Sequence, residues 1–449
     1  MNLKINKNLS RDIFTIAFPA IAGLSSQMIV TIINTAMVGR LENAEIQLAA
    51  MGLGFLATWA ITSLFSSLST GTHVLAARRH GEGNPEGVGE VLQNSLFLGV
   101  LLGITSSLLG YFFSYDVIDF FSTDDALNQV GADYMRYQFI GLPFFLFIVA
   151  YRGFFFGIGH AKIFMISAIL INLFNIVFNY LFIFGALGFP RLELPGAGLG
   201  ASVSTILGCL FFLFVTLLSD YRKTYKYYSH IHISKQVISQ IIRISIPVSL
   251  QNILILFGFL LFVAITGIIG TVAQAATNVV ITALFISMMP CFGFGIAAQT
   301  LVGQSIGKGD LALAHQYGYE TAKLGTIFTV IVGVVFVLIP EYVLVVITTN
   351  DQVISVARPI LQVAGIAQVF YGSGIIFAHA LQAGGATVYV MFVEILTHWI
   401  IFLPLTYFLG VSSDWGILGA WMALPVYILA YTSMNLLKFR RSDWMSIKL

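Results

Sequence analysis

Apolar positions fall along this chain in long blocks, separated by Gly, Pro or clusters of charge. Twelve such runs occupy 12–38, 46–77, 89–114, 128–157, 161–186 and 196–219, then 236–266, 272–304, 312–340, 353–382, 387–410 and 415–437. About 20 mostly apolar residues wound as an α-helix cross the hydrocarbon of a bilayer, and a helix satisfies its own backbone hydrogen bonds on the way. Each run therefore reads as a spanning helix. Residues 1–11 are polar and basic, but the run that follows is too long for a secretion-signal core and has no small-residue cleavage site, so it reads as a retained first helix. The pattern predicts an all-α polytopic membrane protein with twelve transmembrane helices.

Composition agrees with that reading and excludes others. Of 449 residues, 58% are hydrophobic and 9% charged, with mean hydropathy +0.90. Soluble domains carry roughly 25% charged residues. A formal charge of +2 gives nucleic acid no electrostatic purchase. Cys209 and Cys291 sit inside apolar runs without metal-ligand or CxxC spacing, so neither a disulfide framework nor a metal site is expected. No HExxH, GxSxG, paired-carboxylate or Walker pattern occurs, which argues against an enzyme or an ATPase domain, and no cofactor is expected. Any pumping would draw on an ion gradient.

Basic residues sort by side. Lys4, Lys7, Arg11, Arg78, Arg79, Lys162, Arg222, Lys223, Lys226, Lys235, Lys308, Lys438, Arg440, Arg441 and Lys448 share one set of alternate loops and tails, against only Arg40 and Arg191 on the other. Because basic loops stay on the cytoplasmic side, both termini are expected there. The polar stretch Asp220 to Lys235 divides the chain into an N-terminal six-helix lobe, 1–219, a cytoplasmic linker, 220–235, and a C-terminal six-helix lobe, 236–449.

The halves repeat. Pro19 and Gly39 align with Pro247 and Gly267 at an offset of 228, and Gly81-Glu-Gly83-Asn84 with Gly307-Lys-Gly309-Asp310 at 226. Gly157 to Ala161 and Ala383 to Thr387 match at the same offset. Six spans per half keep the two lobes in the same orientation, and such pseudo-symmetric pairs place substrate near the midplane.

Polar residues inside the spans are few enough to inspect singly. Gln27, Thr31 and Asn34 stand at i, i+4, i+7 on the first helix, and Asn172, Asn175 and Asn179 at i, i+3, i+7 on the fifth. In hydrocarbon an unpaired amide is costly, so the two stripes should face each other or a wet cavity. Taken singly each amide reads as interhelical glue; five amides and a Thr together read as a binding site. Glu394 is the only acid deep in a span by position, and His398 follows at i+4 on the same face. An intramembrane ionisable pair is a functional candidate, with a structural Glu–His bond as the alternative. His379 lies at a similar depth. Asp133 and Arg136 read as a local ion pair, and Arg152, Arg243 and Lys323 as residues snorkelling to the cytoplasmic boundary. Tyr137, Met288, Met289 and Tyr371 have the depth and chemistry to wall a cavity that makes cation–π and apolar contacts.

The chain resembles the multidrug and toxic compound extrusion (MATE) family. The resemblance rests on Asn34-Thr-Ala-Met-Val-Gly-Arg-Leu41, on Asn175-Ile-Val-Phe-Asn-Tyr-Leu-Phe-Ile-Phe-Gly185 with Gly188-Phe-Pro190 and Gly196-Ala-Gly-Leu-Gly-Ala201, and on the repeated Gly-x-Gly-Asn/Asp turns. It spans essentially the whole chain. It implies two six-helix lobes around a cleft and efflux of amphiphilic, often cationic compounds driven by a proton or sodium gradient. It also implies acids at the positions of Asn34 and Asn179, where many bacterial members carry Asp as the cation or proton switch. Here both are amides, which cannot titrate at physiological pH but can ligate a hard cation such as sodium through oxygen.

The expected function is therefore secondary active efflux, with a first-lobe cation or substrate site and a second-lobe coupling group at Glu394, His398 and His379. The expected partners are small organic cations or amphiphiles and the lipid bilayer, the expected location a bacterial cytoplasmic (inner) membrane, and the expected state a monomer. The alternative is a lipid-linked oligosaccharide flippase of the same superfamily. That function calls for basic residues along the cleft to hold pyrophosphate, and mid-span positions carry almost none.

Overall fold

The computed structural model describes residues 5–218, 220–228 and 232–447; Lys4, Lys448 and 229–231 of the linker lie outside the described residues. Among the described residues there are twelve helices long and apolar enough to cross a membrane, one for each run. They are α1 (Lys7–Val38), α2 (Ala44–Gly81), α3 (Pro85–Asp119), α4 (Asp125–Gly157), α5 (Ala161–Phe184) and α6 (Leu194–Leu217), then α7 (Lys235–Ile269), α8 (Thr271–Gly307), α9 (Leu311–Leu338), α10 (Asp351–Ala383), α11 (Thr387–Ser412) and α12 (Gly416–Arg441). The chain is a multi-pass membrane protein.

Two helices depart from regularity. Ser67 interrupts α2, and around it the hydroxyls of Ser63, Ser66 and Ser67 donate to the carbonyls of Ala60, Ser63 and Leu64 at 2.9, 2.9 and 3.1 Å. Such back-bonding competes with the helix ladder and bends it. In α11 the backbone widens to π-helix over Ile395–Phe402 and again over Phe408–Ser412.

The internal repeat is legible in the backbone. Gly83 and Gly309 turn the chain with φ of 70° and 77°, and Gly159 and Gly385 with 79° and 90°. Both pairs lie 226 residues apart, the offset of the sequence alignment. The caps repeat too: Asn84 Oδ1 accepts from Gly87 N at 2.8 Å, and Asp310 Oδ1 from Leu313 N at 2.9 Å.

Contacts divide the chain into two compact units, Ala22–Ser249 and Met1–Ile21 with Leu250–Leu449. The divisions fall inside α1 and α7, two residues beyond Pro19 and Pro247. Proline removes a ladder bond there. Within the Asp220–Lys235 linker, described residues pack onto helices of the unit Ala22–Ser249. Tyr225 and Tyr227 are buried, with rings 5.3 and 5.9 Å from Phe154, and Ser234 N donates to Asn94 Oδ1 at 2.8 Å. Tyr221 and Tyr225 stand at i and i+4 on the short helix Tyr221–Tyr225, and Tyr227 and Tyr228 follow in the turn after it, so the segment carries an aromatic surface that packs on Phe154.

In the unit Ala22–Ser249, α4 is the most enclosed helix, and Tyr151 stacks on Phe212 of α6 at 5.2 Å. In the other unit α10 takes that position, beside a core that includes Phe262, Phe336, Phe402 and Trp421. Where α9 crosses α10, a Cβ on Gly333 would lie 2.5 Å from Gly365 O, so the backbones approach as closely as glycine allows. This second unit also buries an acid not singled out from the sequence. Glu320 is 3% exposed, accepts from Asn6 N at 2.7 Å and pairs with Lys323 at 2.9 Å. Among the described residues, Glu394 is therefore one of two buried acids within the spans of this unit, and Lys323 is an ion-pair partner rather than a snorkelling residue.

Candidate functional site

Helix α1 meets α5 along Gly23, Ser26, Val30 and Asn34. A Cβ on Gly23 would lie 2.6 Å from the Phe164 ring, Asn172 Nδ2 donates to Ser26 Oγ at 2.7 Å, and Val30 is buried. Asn34 Nδ2 donates to Asn175 Oδ1 at 2.9 Å, and Asn179 Nδ2 donates to Asn34 Oδ1 at 2.9 Å and to Asn175 Oδ1 at 3.1 Å. Three of the predicted amides thus form one hydrogen-bonded cluster, with Asn175 and Asn179 buried and Asn34 half-buried. Asn179 has a second orientation. Turned over, its Nδ2 reaches the carbonyls of Ala197 and Asn175 at 3.2 and 3.3 Å, while its Oδ1 comes within 2.9 Å of Asn34 Oδ1 and 3.1 Å of Asn175 Oδ1. The first orientation ties the amides to one another. The second also lets Asn179 Oδ1 accept from Asn34 Nδ2 at 3.3 Å, and it sets that oxygen beside those of Asn34 and Asn175.

Gly200 on α6 makes room for this cluster, since a Cβ there would sit 2.1 Å from Asn179 Oδ1. Gln27 and Thr31 do not join it. Both are exposed, and Thr31 spends its hydroxyl on the Gln27 carbonyl at 3.1 Å. The physical reason is phase: at 100° per residue the seam residues lie between about −60° and +20° of Gly23, whereas Gln27 and Thr31 stand about 40° and 80° from it on the far side. Asn172 faces α1 one turn below, on Ser26.

Glu394 lies at the start of the first π-helical stretch of α11 and is 3% exposed. Its Oε1 accepts from Tyr427 Oη on α12 at 2.8 Å and lies 3.3 Å from His398 Nδ1. The imidazole packs edge-on against Phe402 and Tyr427, both at 5.3 Å, and its other nitrogen is buried without a hydrogen-bond partner among the described residues. A Cβ on Gly258 of α7 would approach that nitrogen to 2.5 Å. The carboxylate is thus the acceptor of a three-residue polar group closed off by aromatic rings.

The sequence model of the MatE family matches residues 19–181 and again 247–408, once in each half and starting at Pro19 and Pro247. The chain belongs to the MatE family. It is accordingly a transporter rather than an enzyme. Its relatives include a probable multidrug resistance protein NorM of Thermotoga maritima, 25% identical over 97% of this chain and 93% of that one, and a probable multidrug resistance protein YoeA of Bacillus subtilis, 24% identical over 84% and 82%. Among solved structures it is similar to an outward-facing multidrug resistance MATE transporter, with TM-score 0.86 and 20% identity over 98% of this chain and 99% of that one. A MOP-superfamily transporter from Pyrococcus furiosus, described by a reversed polarity of its binding pocket, superposes with TM-score 0.89 and 20% identity over 99% and 100%. These likenesses establish the MATE fold.

Other candidates in this MatE chain separate from the two clusters. His379 Nδ1 lies 2.9 Å from the Ile375 carbonyl one turn back on its own helix, packs against Gly295 and makes no hydrogen bond to Glu394 or His398. It is a satisfied helical histidine. Tyr137 belongs to the unit Ala22–Ser249, and half-buried Met288, Met289 and Tyr371 to the other, so the four do not form one wall within a unit. The expected Asp133–Arg136 pair forms at 2.9 Å. Tyr427 was not singled out from the sequence; a Tyr 33 residues after a Glu carries no spacing signal, and only the packing of α12 on α11 brings them together. Gly200 falls in a small-residue run whose role needs the facing helix to be known.

Proposed function

We propose that this transporter exports amphiphilic, cationic organic compounds across a bacterial cytoplasmic membrane by alternating access, driven by a proton or sodium gradient and working as a monomer with both termini in the cytoplasm. The relatives named multidrug resistance proteins support the substrate class, and the sorting of basic residues supports the orientation. The observation that carries the coupling is an asymmetry between the two clusters. Asn34, Asn175 and Asn179 are three amides hydrogen-bonded together, whereas Glu394 is a buried carboxyl held by Tyr427 and His398.

The amides offer oxygens to a cation but no exchangeable charge. Glu394 offers one. A proton or sodium ion taken up at its carboxylate cancels the charge that attracts an organic cation, and the two then compete for the same state of the protein. The Tyr427 hydroxyl and the His398 ring hold the carboxylate in place and give it donors when it is charged. A sodium ion as the coupling substrate has a second candidate stop at the amide oxygens. The test is flux of a cationic dye in proteoliposomes carrying the whole chain, under separately imposed proton and sodium gradients. Uphill dye movement under one of them supports the reading; movement under neither contradicts it.

The flippase alternative would be favoured by unpaired cations along the spans. Lys323 and Arg358 each pair with a carboxylate, at 2.9 and 2.7 Å, and Arg152 of α4 donates to the Ser69 hydroxyl at 3.2 Å. Export of small cations is the reading these pairs leave in front.

A further inference from the structure

The unit Ala22–Ser249 contains a half-open cavity of about 690 Å³, far from the amide cluster in chemistry. Its walls are Tyr111 near the end of α3, the Asp133 and Arg136 face of α4, Glu42 after α1, and Arg191 with Glu193 in the turn before α6. Volumes of this size suit small-molecule ligands. Asp133 stands eight residues inside α4, about 12 Å along its axis. The cavity therefore reaches from the loop end of the helices into spanning depth, on the face that the sorting of basic residues makes the outer one.

The charges in it are mixed and incompletely used. Arg136 Nη1 bonds Asp133 Oδ1 at 2.9 Å and, among the described residues, this is its one hydrogen bond, so most of its donor fork is uncommitted. Arg191 is shared between Glu42 at 3.4 Å and Glu193 at 3.3 Å, and Glu193 is anchored from behind by Gln47 at 2.8 Å. The Glu42 side chain is 83% exposed and, among the described residues, is held only by that long contact. Pairs as exposed as these exchange readily for other partners. A cationic fork at Arg136 and a loosely held carboxylate at Glu42 complement a ligand that carries both an anion and an ammonium group.

The apolar surroundings say what the rest of that ligand is. Tyr137 and Ile140 continue the lining down α4, and Phe112 and Phe113, next to Tyr111, are 70% and 56% exposed on a helix of membrane-spanning composition. We infer that this cavity binds a zwitterionic phosphoethanolamine headgroup, its phosphate on Arg136 and its ammonium on Glu42, with the attached chains lying along the aromatic surface of α3. The proposal concerns lipid binding at the lobe's loop end and does not depend on the coupling role of Glu394.

The test titrates the full chain in detergent with phosphatidylethanolamine, with phosphatidylglycerol, which has the phosphate and lacks the ammonium, and with soluble phosphoethanolamine, reading bound lipid by native mass spectrometry. Phosphatidylethanolamine is expected to bind roughly tenfold tighter than phosphatidylglycerol, the worth of one charge-assisted contact. Arg136→Gln should weaken both lipids about tenfold and Glu42→Gln only the first, while Arg136→Lys retains binding. Competition by soluble phosphoethanolamine would identify the headgroup alone as sufficient; its failure would assign the site to the intact lipid. Equal binding of the two lipids, or a preference that survives both Gln variants in folded protein, overturns the proposal.

Discussion

Tyr427 donates its phenolic proton to Glu394 Oε1 across 2.8 Å, tying α12 to the π-helical start of α11. A hydrogen bond to a charged group is worth about 1.5–3 kcal/mol, and leaving a buried carboxylate without it costs the same order. Tyr427→Phe keeps the ring packing against His398 and Phe402 and removes only the donor. The expected outcome is a loss of stability of about that size, read as a lowered denaturation midpoint in detergent, together with an altered ion dependence of transport. An unchanged midpoint and unchanged ion dependence would show that the bond is idle.

The first-lobe cluster contains amides where a carboxyl would titrate. Asn34→Asp puts an ionisable group between Asn175 and Asn179, both buried, so transport should acquire a pH dependence that the parent protein lacks at this site. The measurement is dye efflux over a pH series for both proteins in parallel. Superimposable profiles would exclude the cluster from the transport cycle.

The linker offers a pH test outside the spans. Partial desolvation holds the exposed His160 ring below the ordinary imidazole value of 6.5, and its Nδ1 is hydrogen-bonded to Tyr221 Oη on the helix Tyr221–Tyr225. The unfolded chain takes a proton near 6.5 that the folded chain resists. The stabilisation from the neutral ring is therefore complete above about pH 6.5 and is lost as pH falls through 6.5 toward the lower folded value. Amide exchange of 221–225, corrected for its intrinsic pH dependence, should lose protection over that interval. A His160→Gln variant should show a flatter profile.

The spans and their pairing were legible because both are periodic. Twelve apolar runs became twelve helices, and the 226-residue offset that aligned Gly83 with Gly309 reappears as two left-handed turns and two matching caps. The facing of Asn34 on Asn175 and Asn179 was legible for the same reason. Gln27 and Thr31 were not, because a spacing of i, i+4, i+7 defines a broad face and leaves open which edge of it packs; Gly23, Ser26 and Val30 set that edge. Glu320 escaped notice because its partners are Asn6, more than 300 residues away, and Lys323, which by position alone reads as a boundary residue. Tyr427 and Gly200 matter through contacts between helices, and nothing in either helix alone marks them.

Gradient-driven efflux by Glu394→Gln tests the coupling claim most directly. Gln is close in size to Glu and keeps an oxygen for Tyr427 while removing the exchangeable charge. In proteoliposomes the account predicts that the folded variant still binds a cationic dye but moves it uphill at least tenfold more slowly, with a response to the imposed proton or sodium gradient that is flat. Parental efflux with parental ion dependence in the Gln variant would contradict it.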